Sequence, residues 1–423
     1  MKRKLIAAIG VAGMMVGIAA CGSDDSSEKK AGADGFKGQT LTVWAMDGST
    51  PDQWQKDLSA EFEKKTGAKV KFEVQQWNGI QQKLTTALSE ENPPDVFEIG
   101  NTQTAAYAKT GGLADLADLK KEIGADWSEI LNKASVVDDK QYAAPWYFAN
   151  RVVIYNKAVF KEAGIAGPPK TRDEFFAALD KIKAKGKEPI YLPGQNWYFF
   201  DGLTIGKGAE LVKKDGDKWV SNLDDPKIAE AAELYKKYQS YSKAPKDKDE
   251  ATPQQADVFA KGNVGAFIGM GWEAGTAIKA NPAIEKEIGY FTIPGETADK
   301  PEGVFLGGSN LAVAEGSKKQ DLAKEFLKLA LSDKYEGQLA KLNGVIPNKE
   351  SLNSNLKGNA VAEAAAPSAK FGGTTPLIPE WAAVENAPNP IKTYLTAVLN
   401  GKSPADAAKQ VEAEFNKRLA QKQ

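Results

Sequence analysis

An α/β fold built on open parallel sheets is the class this sequence predicts, and three observations lead to it. Residues 41–100 alternate strand, helix, strand, helix, strand in pattern. A second stretch after Pro145 alternates in the same way. The 423 residues are enough for two or three domains of ordinary size. A β-α-β-α-β order implies parallel strands joined by right-handed crossovers, and in open α/β sheets ligands bind beyond the carboxyl ends of the strands.

Each element has a local reason. Leu41-Thr42-Val43-Trp44-Ala45 is short, β-branched and aromatic, as a strand should be. Thr50-Pro51-Asp52-Gln53 reads as a capping box with Pro51 at the first helical position. Trp54, Leu58 and Phe62 then share one helix face, and Gly67 ends the helix. Val70, Phe72 and Val74 alternate with Lys71 and Glu73 as a second strand. Ile80, Leu84 and Leu88 mark a second helix, which stops before Pro93-Pro94. Asp95 to Gly100 forms the third strand. Beyond Pro145, Val152–Tyr155 and Ala266–Ile268 read as strands, and Thr171-Arg172-Asp173-Glu174 as a capping box. Leu211–Val220 reads as a hairpin around Asp215-Gly216. Helices are expected over Ile228–Tyr241, around Leu322, Phe326 and Leu329, and from Ser403-Pro404 onward.

The N-terminus carries an export pattern. A basic Met1–Lys4 precedes the apolar run Leu5–Ala20, whose 16 residues fall short of the ~20 that span a bilayer. A removed signal over residues 1–20 is expected. Ile18-Ala19-Ala20-Cys21 resembles the bacterial lipobox, which implies cleavage before Cys21 and lipidation of its thiol. The polar stretch 21–37 then reads as a flexible tether. Loss of Lys2, Arg3 and Lys4 takes the net charge from −1 to −4, which gives no reason to expect nucleic acid.

Composition removes whole classes of chemistry. The chain has no histidine, and Cys21 is its single cysteine. Ser-His-Asp and Cys-His systems, His/Cys zinc sites and intrachain disulfides are therefore excluded. No cofactor or metal is expected. What remains is a set of 9 Trp and many amides. The segments just after the three predicted strands are Met46-Asp47-Gly48, Gln75-Gln76-Trp77-Asn78 and Gly100-Asn101-Thr102-Gln103, none of them a Gly-rich phosphate cradle.

The chain resembles the family 1 extracellular solute-binding proteins, the receptors of carbohydrate ABC importers. Phe62–Val70, Pro94-Asp95-Val96, Tyr107–Leu113, Tyr142–Pro145 and Tyr155-Asn156-Lys157 carry the likeness, with Phe259–Ala266, Gly271-Trp272, Gly307–Asn310 and Gly344–Pro347. Their collinearity is the strong part. Trp77–Leu84, Gly100–Thr104, Pro193–Tyr198, Gly303–Asn310 and Pro376–Trp381 are similar to the actinobacterial N,N′-diacetylchitobiose-binding lipoproteins. The resemblance implies a two-lobed periplasmic-binding-protein-like fold (type II) with the ligand between lobes joined by hinge strands. It places lobe 1 at 38–147 and 309–353, and lobe 2 at 148–308 and 354–423. The chain would cross near Trp146, Gly308 and Leu352. It implies a monomer on the outer face of the membrane, held by Cys21, with permease transmembrane subunits as partners.

A neutral oligosaccharide needs flat aromatics for its C–H faces and fixed amides or carboxylates for its hydroxyls. Trp272, where the family's stacking aromatic sits, and Trp77 are the expected platforms, with Glu273 beside the first. Asn196, Trp197 and Tyr198 form a second aromatic-amide group, Phe199 and Phe200 being core. Trp381 and Glu380 follow Pro379, and Trp146 follows Pro145 at the hinge. Asp47, Asn101, Thr102, Ser309 and Asn310 are the expected polar contacts. Trp44 and Trp54 belong to the core pattern, and Trp127 and Trp219 carry no cleft signal. The competing reading is a secreted two-carboxylate glycoside hydrolase, which would share the aromatics. A receptor for a cello-, malto- or xylo-oligosaccharide is the other alternative.

Overall fold

The computed structural model describes residues 33–421; the expected signal segment and Cys21 lie outside the described residues. The first sheet has six strands in the order Ile346–Pro347, Ala144–Ala149, Gly307–Val313, Val96–Gly100, Thr40–Met46 and Lys69–Gln75. The last three are mutually parallel, with Val43 opposite both Phe72 and Val96. The strand–helix alternation of residues 41–100 therefore does produce parallel pairing. Val96–Gly100 lies inside the sheet and reads as an almost continuous apolar run, whereas Lys69–Gln75 is an edge and alternates with charge.

The second sheet orders Ile288–Phe291, Val152–Asn156, Val264–Gly269 and Glu188–Tyr191. Val264–Gly269 runs parallel to Glu188–Tyr191 and antiparallel to Val152–Asn156. Each sheet has its own core. The first holds Trp54, Leu58, Phe62, Phe326 and Tyr335, with the Trp54 indole N–H donating to the Tyr335 carbonyl at 2.9 Å. The second holds Phe175, Leu179, Ile182, Phe199, Tyr235, Tyr238, Trp381 and Phe415. Ala144–Ala149 and Gly307–Val313 pair antiparallel in the first sheet, Gly308 opposite Phe148, and the first of them leads through Asn150-Arg151 into the second sheet. A Cβ on Gly308 would collide with the Tyr147 carbonyl, so only glycine permits this approach.

Local differences from expectation are small and have causes. Thr171 does cap its helix, accepting from Glu174 N at 3.3 Å, while Glu174 accepts from Lys170 N at 2.7 Å. The box expected at Thr50 does not form. That helix starts at Asp52, one residue late, and Thr50 accepts from the Gln55 amide instead, at 2.8 Å. Gln53 turns outward to Asp57 at 2.8 Å. The tether expected over 21–37 ends early, because Ala33–Phe36 is a 3₁₀ turn whose Phe36 packs on the first core.

Candidate functional site

Three loops leave the carboxyl ends of the parallel strands, and a buried carboxyl fastens the first of them to the crossing strands. Glu98 accepts from Met46 N at 2.7 Å, Ser49 Oγ at 2.7 Å, Tyr147 OH at 2.8 Å and Ser309 Oγ at 2.6 Å. One side chain thus ties the end of the first strand, its loop and both crossing strands. Burial pushes the Glu98 carboxyl up, and the four donors pull against that shift. Sequence reasoning missed Glu98. The available signal was an acid inside the apolar run Val96–Gly100, where a charge persists only if it is hydrogen-bonded.

Several expected polar contacts are occupied within the protein. Ser309 serves Glu98. Asn310 donates to Thr104 Oγ1 at 2.9 Å and to the Ala134 carbonyl at 3.2 Å, beneath the first lobe. Asn101 donates to the Leu306 carbonyl at 3.0 Å and accepts from Gly308 N at 3.3 Å, fastening its loop to the crossing strand. Thr102 donates to Glu385 Oε2 at 2.9 Å. Asn196 caps the helix Trp197–Gly206, accepting from Phe199 N at 3.3 Å, and is fully buried. Glu273 is buried too, accepting from Met270 N at 2.7 Å and from the Gln255 amide at 2.8 Å. Burial pushes its carboxyl up to about 7. Asn101, Asn196, Glu273, Ser309 and Asn310, expected as ligand contacts, are thus buried and hydrogen-bonded within the protein.

The tryptophans divide in the same way. Trp77 is 41% exposed and lies over the end of the third strand, 3.8 Å from where a Gly100 Cβ would stand. Trp272 is 44% exposed and opens the helix Trp272–Ala280, just beyond the strand Val264–Gly269. One broad ring is therefore exposed on each lobe. Asp47 is exposed beyond the first strand, and Glu380 is half-buried. Trp146 and Trp381, expected as stacking platforms, are enclosed by protein. Trp146 packs on Trp54 at 5.7 Å and Tyr147 at 5.0 Å. Trp381 sits between Trp197 at 6.3 Å and Phe415 at 6.4 Å, its N–H donating to Glu385 Oε1 at 2.8 Å. Trp197 is buried in the second core. Tyr198 stacks on Trp197 at 3.8 Å and on Phe305 at 4.6 Å, with the Arg151 guanidinium 5.1 Å from its ring.

Two further carboxyls were not anticipated. Burial pushes Glu385 up to about 7, opposed by donors from Thr102, Trp381 and Gln103. Burial and then the Glu385 charge push Asp201 up to about 8. Among the described residues, no cluster of acidic or thiol side chains could hold a metal ion.

The comparisons with known proteins agree with this layout. Residues 47–337 match the bacterial extracellular solute-binding protein family. The chain is 78% identical over 425 residues, 100% of each chain, to the diacetylchitobiose binding protein DasA of Streptomyces coelicolor. It is 25% identical to the maltodextrin-binding protein MdxE of Bacillus subtilis over 90% of both chains. Among solved structures, the GacH receptor of Streptomyces glaucescens, solved unliganded and with acarbose, superposes with a TM-score of 0.77 at 24% identity, covering 91% of this chain and 99% of that one. A cyclo/maltodextrin-binding protein complexed with maltotetraose gives a TM-score of 0.74 at 22% identity, covering 93% and 99%. These neighbours share the fold. The family is one of solute binding, without catalysis. With its two main sheets and an exposed tryptophan beyond the strand ends of each, the chain belongs to the bacterial extracellular solute-binding protein family.

Proposed function

We propose that this protein captures N,N′-diacetylchitobiose and related chitooligosaccharides outside the cell and delivers them to the transmembrane subunits of an ABC importer. The observation that carries the reading is full-length identity of 78% to the diacetylchitobiose binding protein of Streptomyces coelicolor. The chemistry is consistent with it. A neutral disaccharide needs ring faces and hydrogen bonds, not charge, and Trp77 and Trp272 offer one exposed face on each lobe. Contact with both platforms favours the closed arrangement, so that closure is a population shift.

In this reading lobe 1 comprises 38–147 and 309–353, and lobe 2 comprises 148–308 and 354–423. The protein acts as a monomer anchored through lipidated Cys21. Isothermal titration with N,N′-diacetylchitobiose, cellobiose, maltose and xylobiose tests the function. The acetamido sugar should bind tightest. Failure to bind any of the four would end the proposal, and preference for a plain glucoside would move it to another oligosaccharide.

A further inference from the structure

One side-chain hydrogen bond runs directly between Thr102 and Glu385. Glu385 closes the short helix Trp381–Glu385, whose Trp381 and Val384 lie in the second core. Thr102 leaves the third strand of the first sheet. They are 283 residues apart in sequence and 2.9 Å apart in space.

We infer that Glu385 is a positioning residue of the cleft: from the second lobe it holds the Thr102–Gln103 loop of the first lobe and so ties the lobes together. Its two oxygens are divided between the lobes. Oε1 accepts from the Trp381 indole of its own helix at 2.8 Å, and Oε2 accepts from Thr102 at 2.9 Å. Trp381 is fully buried, so the carboxyl stands on a fixed base. Thr102 from the first lobe and Trp381 from the second are bonded to Glu385, and its charge is felt at Tyr107, Tyr198 and Asp201. None is a cation that would compete for its oxygens. A hydrogen bond to a buried carboxyl is among the stronger kinds. Loss of the tie therefore lowers the fraction of molecules with the lobes arranged for binding, and apparent affinity falls by that fraction.

The inference rests on the sugar-cleft reading, and its test separates the two. Thr102→Val, Thr102→Ser, Glu385→Gln and the Thr102→Val/Glu385→Gln double variant are titrated with N,N′-diacetylchitobiose. Small-angle scattering of each ligand-free protein reports the lobe separation. Thr102→Val should weaken binding roughly three- to tenfold and enlarge the ligand-free radius of gyration. Thr102→Ser, which keeps the hydroxyl, should restore both to within about twofold of the parent. The double variant should lose less than the sum of the two single losses, because both substitutions disturb the Thr102–Glu385 bond. Additive losses with unchanged scattering would mean two independent ligand contacts and would overturn the inference. Unchanged affinity and scattering in Thr102→Val would overturn it as well. Should the parent bind none of the sugars, the functional reading fails, and the scattering comparison still decides whether the tie exists.

Discussion

Trp77 and Trp272 leave more than two-fifths of their surface open, one on each lobe, whereas Trp146 and Trp381 are enclosed by other rings. All four follow a strand end, a proline or a short polar stretch, so their sequence settings are alike. What separates them is the element that comes next. Trp272 opens a helix at the rim. Trp381 also opens a helix, but that helix packs against the C-terminal helix Pro404–Leu419 and turns the ring inward. The contrast motivates the proposal that the exposed pair meets the sugar and the enclosed pair supports the fold.

Truncation should separate the pairs by their readouts. Trp146→Ala and Trp381→Ala should each cost about 3–5 kcal/mol of unfolding free energy in urea titrations. Sugar affinity of the folded fraction should change little for Trp146→Ala, and for Trp381→Ala should fall by no more than the loss expected of Thr102→Val, since Trp381 supports Glu385. A loss confined to affinity would reverse their assignment. Trp272→Ala should weaken sugar binding by about 2–4 kcal/mol, and Trp77→Ala by a similar or smaller amount, with stability kept within about 0.5 kcal/mol.

The buried carboxyls extend the comparison. Glu98 is met by four donors within one lobe, while one Asp201 oxygen finds no partner among the described residues. Glu98→Ala strands those donors and should cost about 2–3 kcal/mol of stability, measured by the same urea titration. Asp201, pushed up to about 8, and Glu273 and Glu385, pushed up to about 7, bind protons in the folded state that the unfolded chain has released above about 4. Their stabilising contribution is present in full below about pH 4 and is lost as pH rises through 7 to 8. Asp201→Asn should flatten the fall in stability between pH 5 and 9. An unchanged slope would show that Asp201 does not hold a proton. The smallest effect is expected at half-buried Glu380, where alanine should move stability by no more than about 0.5 kcal/mol.

Much of the scaffold was legible because periodicity reports burial directly. Val70, Phe72 and Val74 alternate as an edge strand does, and Leu322, Phe326 and Leu329 mark a helix whose buried face is the one expected. The site was only partly legible. An asparagine or serine after a strand reads the same whether it meets a ligand or a backbone carbonyl, and Asn101, Ser309 and Asn310 meet protein groups. Long-range partners carry no local pattern. Glu98 and Ser309 are 211 residues apart, and Thr102 and Glu385 are 283 apart. The exposure of Trp77 and Trp272 was legible because each follows a strand at its carboxyl end, where topology leaves space.

If an acetamido disaccharide is held between one exposed tryptophan on each lobe, both rings must matter to its affinity. N,N′-diacetylchitobiose is titrated calorimetrically into the parent, Trp272→Ala and Trp77→Ala/Trp272→Ala, with a melting curve recorded for each. Trp272→Ala should melt like the parent and lose roughly 30- to 1,000-fold in affinity, and the double variant should lose more. A double variant that melts and binds like the parent would rule this arrangement out.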